Sequence, residues 1–168
     1  MQVLRDRFSI RYPARGGWRT REALAQGCSQ VLFLDATDHS HIDELGGMNF
    51  FVVTADGQLV TPTLTGSILP GVTRDSILKL APQLGLEPVE RRITLDELLA
   101  GIADGSVTEA FACGTAAVVT PINSLKVDEK VHTLPELDQP RALAVREALL
   151  DIQYGRAEDP FGWTRKVC

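Results

Sequence analysis

The chain has 168 residues, of which 44% are apolar, and this length and composition suit one domain with a buried core. Its net charge of −5, with no block of basic residues, argues against a nucleic-acid or anionic-membrane partner, since both require a clustered positive surface. No apolar run approaches the roughly 18 residues of a membrane span, and the charged start does not resemble a signal peptide. We therefore expect a cytoplasmic protein, or a mitochondrial-matrix protein if the chain comes from a longer eukaryotic precursor.

The first part of the chain shows no clear periodicity. Arginines crowd residues 1–21 together with Pro13 and the pair Gly16-Gly17, and we leave this segment unassigned. Residues 30–36 form a short apolar run that is typical of a buried strand.

A hairpin is predicted next, because residues 50–54 and 58–61 are β-rich and flank Ala55-Asp56-Gly57. After Pro70-Gly71, Thr73 is expected to cap a helix. The apolar face of that helix consists of Ile77, Leu78, Leu80 and Leu84.

Pro82 is expected to kink or end this helix, because its ring clashes with the preceding turn, and Gly85 is a plausible C-cap. The remaining elements are a strand over 88–93, a helix over 95–102, strands over 108–113 and 117–121, an irregular stretch over 122–139, and a helix over 141–154. Thr94 and Glu97 form a capping box for the middle helix. Strands interleaved with helices predict an α/β or α+β domain.

Cysteine and histidine positions give little support for a metal site or a disulfide framework. Cys28, Cys113 and Cys168 are few, scattered and without a Cys-x-x-Cys pair, which indicates a reducing compartment. His39 and His41 would share one face of a strand, but no acidic or thiol partner has convincing spacing. We expect a polar strand end or loop there, and no metal.

Three glycine-marked segments are candidates for chemistry: Glu44-Leu45-Gly46-Gly47-Met48-Asn49, Leu69-Pro70-Gly71-Val72-Thr73-Arg74-Asp75, and Cys113-Gly114-Thr115-Ala116-Ala117. In the second segment, a Pro-Gly turn leads into a helix and presents free backbone N–H groups at the positive end of the helix dipole. This arrangement is a generic phosphate cradle, and the alternative is a well-capped helix without a ligand. Glu44 is either a buried carboxylate beside a ligand ring or an exposed loop acid.

Taken together with Asp-Ile-Gln-Tyr-Gly-Arg near the carboxyl end, these strings make the chain resemble the branched-chain aminotransferases of fold-type IV over roughly residues 22–165. D-amino-acid transaminase and aminodeoxychorismate lyase are similar in fold, but Gly-Gly-Met-Asn and Asp-Ile-Gln-Tyr-Gly favour the branched-chain branch. The resemblance implies an α/β (α+β) fold over residues 22–168: the large carboxy-terminal domain of the D-amino-acid-aminotransferase-like fold, incomplete at its N-terminus. Residues 1–21 would then be non-homologous or disordered.

The resemblance also implies a cofactor and substrates. The family uses pyridoxal 5'-phosphate and transfers the amino group of leucine, isoleucine or valine to 2-oxoglutarate, as a homodimer. By resemblance, Glu44 pairs with the pyridine nitrogen, and Thr115 reaches the phosphate. The phosphate is otherwise held by Leu69, Gly71, Val72 and Thr73. The backbone at Thr115 and Ala116 faces the substrate carboxylate.

One catalytic group is absent from the pattern. The family's Schiff-base lysine lies in Lys-x-Gly-Gly-Asn-Tyr, whereas this chain has Ala14-Arg15-Gly16-Gly17-Trp18-Arg19, with Ala14 in the position of the lysine. The lysines of the chain are Lys79, Lys126, Lys130 and Lys166, and none is a convincing replacement.

The family's amino-terminal domain and the first strand of its large domain are also expected to be missing, which would leave an open sheet edge. Two hypotheses follow. The chain is a truncated branched-chain transaminase that is inactive alone, or it is a non-catalytic module that binds pyridoxal phosphate or pairs with a full-length subunit.

Overall fold

The computed structural model describes residues 7–11, 21, 23–25 and 27–167. Within these residues, ten strands form two five-stranded sheets. The strands are β1 Arg7–Arg11, β2 Gln30–Leu34, β3 Ile42–Leu45, β4 Asn49–Thr54, β5 Gln58–Thr61, β6 Glu87–Glu90, β7 Val107–Gly114, β8 Val118–Ile122, β9 Ser124–Val127 and β10 Lys130–Thr133. The three helices described in full are α1 Val72–Leu80, α2 Leu95–Asp104 and α3 Arg141–Gln153. This mixture of strands and helices confirms the predicted α/β (α+β) class.

The first sheet has the strand order β10-β9-β1-β2-β3. In its middle, β1 pairs in parallel with both β2 and β9. The expectation of an open sheet edge is therefore wrong at this position, because β1 lies between β2 and β9. The origin of residues 1–21 stays a prediction, and residues 14–19 lie outside the described part of the chain.

The second sheet has the order β6-β5-β4-β7-β8, and its central strands are buried on both faces. Side chains alternate across a strand, so Phe50 and Val52 of β4 enter the apolar core between the two sheets. Phe51 and Val53 enter a second core between this sheet and the helices α1 and α3. Because both faces are buried, β4 is a continuous apolar run rather than an alternating one.

The predicted hairpin is present: β4 and β5 pair antiparallel across the Asp-Gly turn. From β5 the chain crosses through α1 and a 3₁₀ turn at Ala81–Leu84 to β6, which pairs in parallel with β5. Pro82 lies in that turn, and Gly85 ends it at φ 70°, so both predictions for this helix end are confirmed.

The three helices begin in different ways. α2 has the predicted cap, because Thr94 Oγ1 accepts the Glu97 N–H at 3.1 Å. At α3, the buried Glu109 carboxylate of β7 accepts the backbone N–H groups of Arg141 at 2.7 Å and Ala142 at 2.9 Å. The prediction that Thr73 caps α1 is wrong: Gly71 is the N-cap residue, and a glycine has no side chain with which to cap the helix.

Two further sequence predictions need correction. Residues 122–139 are not wholly irregular, because β9 and β10 form an antiparallel hairpin there, with Asp128 at φ 50° in its turn. β3 is an additional strand that the sequence pattern did not indicate.

His39 and His41 lie at the loop between β2 and β3. The ligand atoms of Asp35, Asp38 and His41 lie within 4.8 Å of one another. However, the Asp35 carboxylate already accepts backbone N–H groups of this loop, including that of His41 at 3.0 Å, and Arg92 Nη2 lies 3.5 Å from it. This carboxylate therefore organises the loop.

None of the helices in the described ranges is both long enough and apolar enough to cross a bilayer.

Candidate cofactor site

The three glycine-marked segments meet at one end of the second sheet. Asn49, the first residue of β4, pairs with Cys113, the penultimate residue of β7. A Cβ placed on Gly114 would lie 3.3 Å from Met48 Cγ, so the two turns are in contact. Asn49 Nδ2 also donates to the Leu69 carbonyl at 2.9 Å, which brings in the third segment.

The start of α1 is open to solvent and to a ligand. Its first backbone N–H groups have no partner within the helix, and its N-cap residue, Gly71, has no side chain to accept them. Leu69 and Val72 beside them are 67% and 82% exposed. A cavity of about 320 Å³ opens here, lined by Leu64, Pro70, Gly71, Val72, Arg74 and Asp75. Free N–H donors at the positive end of a helix dipole fit a phosphate group.

Buried polar side chains fasten the loop that precedes α1. Ser67 Oγ donates to Asp43 Oδ2 at 3.0 Å, in the middle of the loop. Arg74 Nη2 donates to the Pro62 carbonyl at 2.9 Å and to Glu90 Oε2 at 2.6 Å, at the beginning of the loop. Buried polar groups cost free energy unless they are hydrogen-bonded, so these contacts define the loop's position.

Arg74 is 4% exposed, and its Nε has no hydrogen-bond partner among the described residues. The guanidinium is thus paired with Glu90 through Nη2, while its Nε remains a buried donor without a partner in the described part of the chain.

Thr115 and Ala116 are exposed in the turn between β7 and β8. Val118, which closes this turn, has φ 57°, a conformation that is strained for a β-branched residue. Backbone strain of this kind is found at ligand-binding turns, where the surrounding structure maintains it. Thr115 thus lies, exposed, in a turn that ends in a strained residue.

Glu44 lies on β3 opposite Phe33 and is partly buried. Leu45, the next residue, closes the turn between β3 and β4 by donating its N–H to the Met48 carbonyl at 2.9 Å. The carboxylate therefore stands one residue before the turn that contacts Gly114, and the alternative of an exposed loop acid does not hold.

Cys113 separates the site from the second core. Its thiol is fully buried, and desolvation raises its pKa to about 12, although the positive charge of Arg74 acts in the opposite direction. Both Cys113 and Cys28 are buried free thiols, whereas Cys168 lies outside the described residues.

No lysine belongs to the three segments that meet here. Lys79 faces solvent on α1, where its Nζ lies 2.7 Å from Asp75. Lys126 lies on β9, and the strands β1 and β2 separate it from the strand of Glu44. Lys130 lies on β10 and Lys166 in the exposed carboxy-terminal segment.

Comparison with known families agrees with the fold. Residues 17–125 match the family described as amino-transferase class IV. The chain therefore belongs to the class IV aminotransferases.

Its relatives place it near one branch of that family. It is 46% identical over 147 residues to the probable branched-chain-amino-acid aminotransferase of Streptomyces coelicolor, covering 84% of this chain and 39% of the relative. It is 44% identical over 151 residues to the branched-chain-amino-acid aminotransferase of Mycobacterium tuberculosis strain H37Rv, covering 87% of this chain and 41% of the relative. The chain thus spans about two fifths of the length of these relatives.

Solved structures of branched-chain aminotransferases have the same fold as this chain. The branched-chain amino acid aminotransferase of Escherichia coli superposes with a TM-score of 0.76 at 30% identity, over 96% of this chain and 57% of that one. The branched-chain amino acid aminotransferase of Thermobaculum terrenum, in its PLP-form, superposes with a TM-score of 0.72 at 28% identity, over 90% of this chain and 52% of that one. The family resemblance drawn from the four sequence strings is confirmed.

Sequence reasoning missed the residues that assemble this site. Asp43, Asn49 and Arg74 are buried polar residues that all bind the loop before α1. In the sequence, each of them is a polar residue inside or beside an apolar run. Such residues are common in proteins and do not by themselves indicate a binding site.

Proposed function

We propose that this chain forms the cofactor-holding part of a branched-chain aminotransferase site, and that this polypeptide alone does not transaminate. The observation that carries the proposal is that three segments meet at one sheet end: the start of α1 with its glycine N-cap, the Thr115 turn, and the turn between β3 and β4 that follows Glu44. These three segments contain no lysine.

The residues at this end suit pyridoxal phosphate. The backbone N–H groups at the start of α1, with Leu69, Gly71, Val72 and Thr73, would hold the phosphate, and the Thr115 hydroxyl would add a donor. The Glu44 carboxylate would keep a proton on the pyridine nitrogen. When bound, the cofactor supplies an electron sink for a carbanion at the amino-acid Cα.

The substrate side of the proposal follows the relatives, which are named for branched-chain amino acids. The exposed backbone at Thr115 and Ala116 would receive the substrate carboxylate. Leucine, isoleucine or valine would be the amino donor, with 2-oxoglutarate as the acceptor.

The absence of a nearby lysine determines the proposed loss of activity. Transamination needs an amine that holds the aldehyde and then moves the proton between the substrate Cα and the cofactor. Arginine cannot replace it, because a guanidinium stays protonated at neutral pH. Arg74, although buried near the site, would therefore contribute charge only.

Binding is tested by titrating the purified chain with pyridoxal phosphate and following the absorbance of the cofactor. We expect saturable binding that inorganic phosphate weakens by competition. Glu44→Gln should change the absorbance of the bound cofactor, because the ring nitrogen loses its carboxylate partner. The matched control is Glu129→Gln in the exposed β9–β10 turn. Absence of saturable binding by the wild-type chain would overturn the proposed cofactor role.

Catalysis is tested with leucine and 2-oxoglutarate, by measuring glutamate formation. We expect no turnover above a protein-free control. Borohydride treatment followed by mass measurement should show no pyridoxyl group on a single lysine. Glutamate formation, or one specific lysine adduct, would contradict the proposed inactivity while leaving the binding result intact.

Pairing with a full-length subunit is a second candidate. The exposed Leu69 and Val72 beside the proposed cofactor site favour it, because exposed apolar side chains at a site edge suit a covering partner. Co-purification of the tagged chain with a full-length relative would support this role. If the chain stays monomeric when it is mixed with the relative at equal concentration, this role is excluded.

A further inference from the structure

We propose that Asn49 is the positioning residue of the phosphate-binding turn: it holds the Pro70-Gly71 turn in a fixed position relative to the Thr115 turn. This inference rests on the proposed function, because it assigns a role in phosphate binding to a residue outside the predicted contact set.

The first step is the contact itself. The Leu69 carbonyl accepts two hydrogen bonds, from Gly71 N at 2.8 Å and from Asn49 Nδ2 at 2.9 Å. The first bond closes a three-residue turn, and the second ties that turn to the end of β4. A carbonyl oxygen has two lone pairs, so both are used here.

The second step is steric. A Cβ placed on Gly71 would lie 2.2 Å from Asn49 Oδ1, so the Asn49 side chain would have to move from the position in which it bonds Leu69. The φ of Gly71 is −66°, an ordinary value for any residue. Glycine at this position is therefore explained by the close approach of Asn49, and not by the backbone conformation.

The third step connects the two turns. Asn49 contacts the Pro70-Gly71 turn through its side chain, and its backbone pairs with Cys113, two residues before Thr115. The Gly71 carbonyl accepts the Asp75 N–H at 3.0 Å, so a fixed Gly71 also fixes the direction of α1. If both turns bind one phosphate, their separation must be constant, and Asn49 is placed to set it.

Asn49 is 7% exposed, in a strand whose next four residues are apolar and buried. A polar side chain in such a position costs free energy unless it is bonded, and an apolar residue would pack there without that cost. The position of Asn49 is thus explained by the turn it holds.

The test compares pyridoxal phosphate with pyridoxal, which lacks the phosphate. In the wild-type chain we expect tighter binding of the phosphorylated form. Asn49→Ala should weaken binding of pyridoxal phosphate by about tenfold, the effect of one well-placed hydrogen bond, and change pyridoxal binding by less than about twofold. Asn49→Ser serves as a second variant if the alanine variant folds poorly.

The matched control is Thr108→Val, at the opposite end of β7, which removes the 3.1 Å hydrogen bond from Thr108 Oγ1 to the Val53 carbonyl. It should lower the melting temperature without changing the preference for the phosphorylated form. A purely structural role for Asn49 would give the same pattern as Thr108→Val. An unchanged preference in folded Asn49→Ala overturns the inference and leaves the proposed function standing.

A double-mutant cycle tests the contact without any cofactor. Gly71→Ala alone should lower the free energy of unfolding. The same change in the Asn49→Ala background should lower it clearly less, because the close contact with Asn49 is removed. If the losses of unfolding free energy in the two single variants simply add in the double variant, the inference is overturned. If wild type shows no preference for pyridoxal phosphate, the proposed function fails, and this cycle alone decides whether Asn49 holds the turn.

Discussion

The starts of the helices α1 and α3 face the same physical problem and meet it differently. At α3 a buried carboxylate, Glu109, takes up two of the free N–H groups. At α1 the N-cap residue is Gly71, which has no side chain to do so, and the neighbouring Val72 is 82% exposed. One helix start is therefore closed by a charged side chain, whereas the N-cap residue of the other offers none. This contrast underlies the proposal that α1, rather than α3, binds a phosphate group.

Replacing Glu109, the buried acid that caps α3, is expected to have the largest effect on stability. Glu109→Leu leaves two N–H groups without acceptors, one of them on the buried Ala142, and should lower the free energy of unfolding by about 2–4 kcal/mol. Urea unfolding provides the measurement. Glu109→Gln keeps one acceptor oxygen and should therefore lower the free energy of unfolding clearly less than Glu109→Leu does. Equal losses in the two variants would show that hydrogen bonding does not stabilise this helix start.

At α2 the cap is a single exposed hydroxyl. Thr94→Ala removes the 3.1 Å bond to the Glu97 N–H and should cost about 1 kcal/mol in the same urea experiment. Thr73→Ala, the matched change at α1, should cost less, because Thr73 does not cap its helix. If the two changes cost the same, the contrast between closed and open starts is wrong.

An acid introduced at the open start should act in opposite directions on stability and on binding. Val72→Glu places a negative charge at the first turn of α1 and should stabilise the chain by about 0.3–1 kcal/mol through the helix dipole. It should also weaken binding of pyridoxal phosphate, since it competes for the same N–H groups. Melting temperature and cofactor titration are measured together, with Val72→Gln as the neutral control. Unweakened binding by Val72→Glu would place the phosphate elsewhere.

The smallest effect is expected at the carboxy-terminal turn, which the partly exposed Asp159 closes. Hydrogen bonds, first from the Thr164 backbone, lower the pKa of Asp159 from 3.8 to about 2. A lowered folded-state pKa gives stability that is present above pH 3.8 and is lost as the pH falls towards about 2. The melting-temperature difference between wild type and Asp159→Asn should therefore be constant near neutrality and disappear across that window. A difference that persists at pH 2 would contradict this assignment.

Local sequence patterns predicted the elements whose signals are local. The β4–β5 hairpin was visible because an Asp-Gly turn separates two apolar runs, and α2 because Thr94 stands three residues before Glu97. β9 and β10 were missed since each has four residues and β10 is largely exposed, so neither carries a clear apolar pattern. β1 depends on pairing with strands far along the chain, which no local pattern reveals.

At the site, too, local patterns were predicted and contacts between distant residues were not. The glycine-marked segments were identified individually, but their meeting depends on contacts such as Asn49 to Leu69, which join residues 20 positions apart. The cap at α1 was assigned to Thr73 because a threonine near a Pro-Gly turn usually accepts an N–H group. The structure places the N-cap two residues earlier, at Gly71, and this shift is within the ordinary uncertainty of helix ends.

Cys113 makes the opening of this fold measurable by chemistry. Its sulfur is sealed between β7 and the helix layer, and its raised pKa leaves almost no thiolate at neutral pH. An alkylating reagent reacts with thiolates, so it can modify Cys113 only in molecules whose helix layer has separated from the sheet. The rate of modification under native conditions therefore reports how often α1 and α3 leave the second sheet.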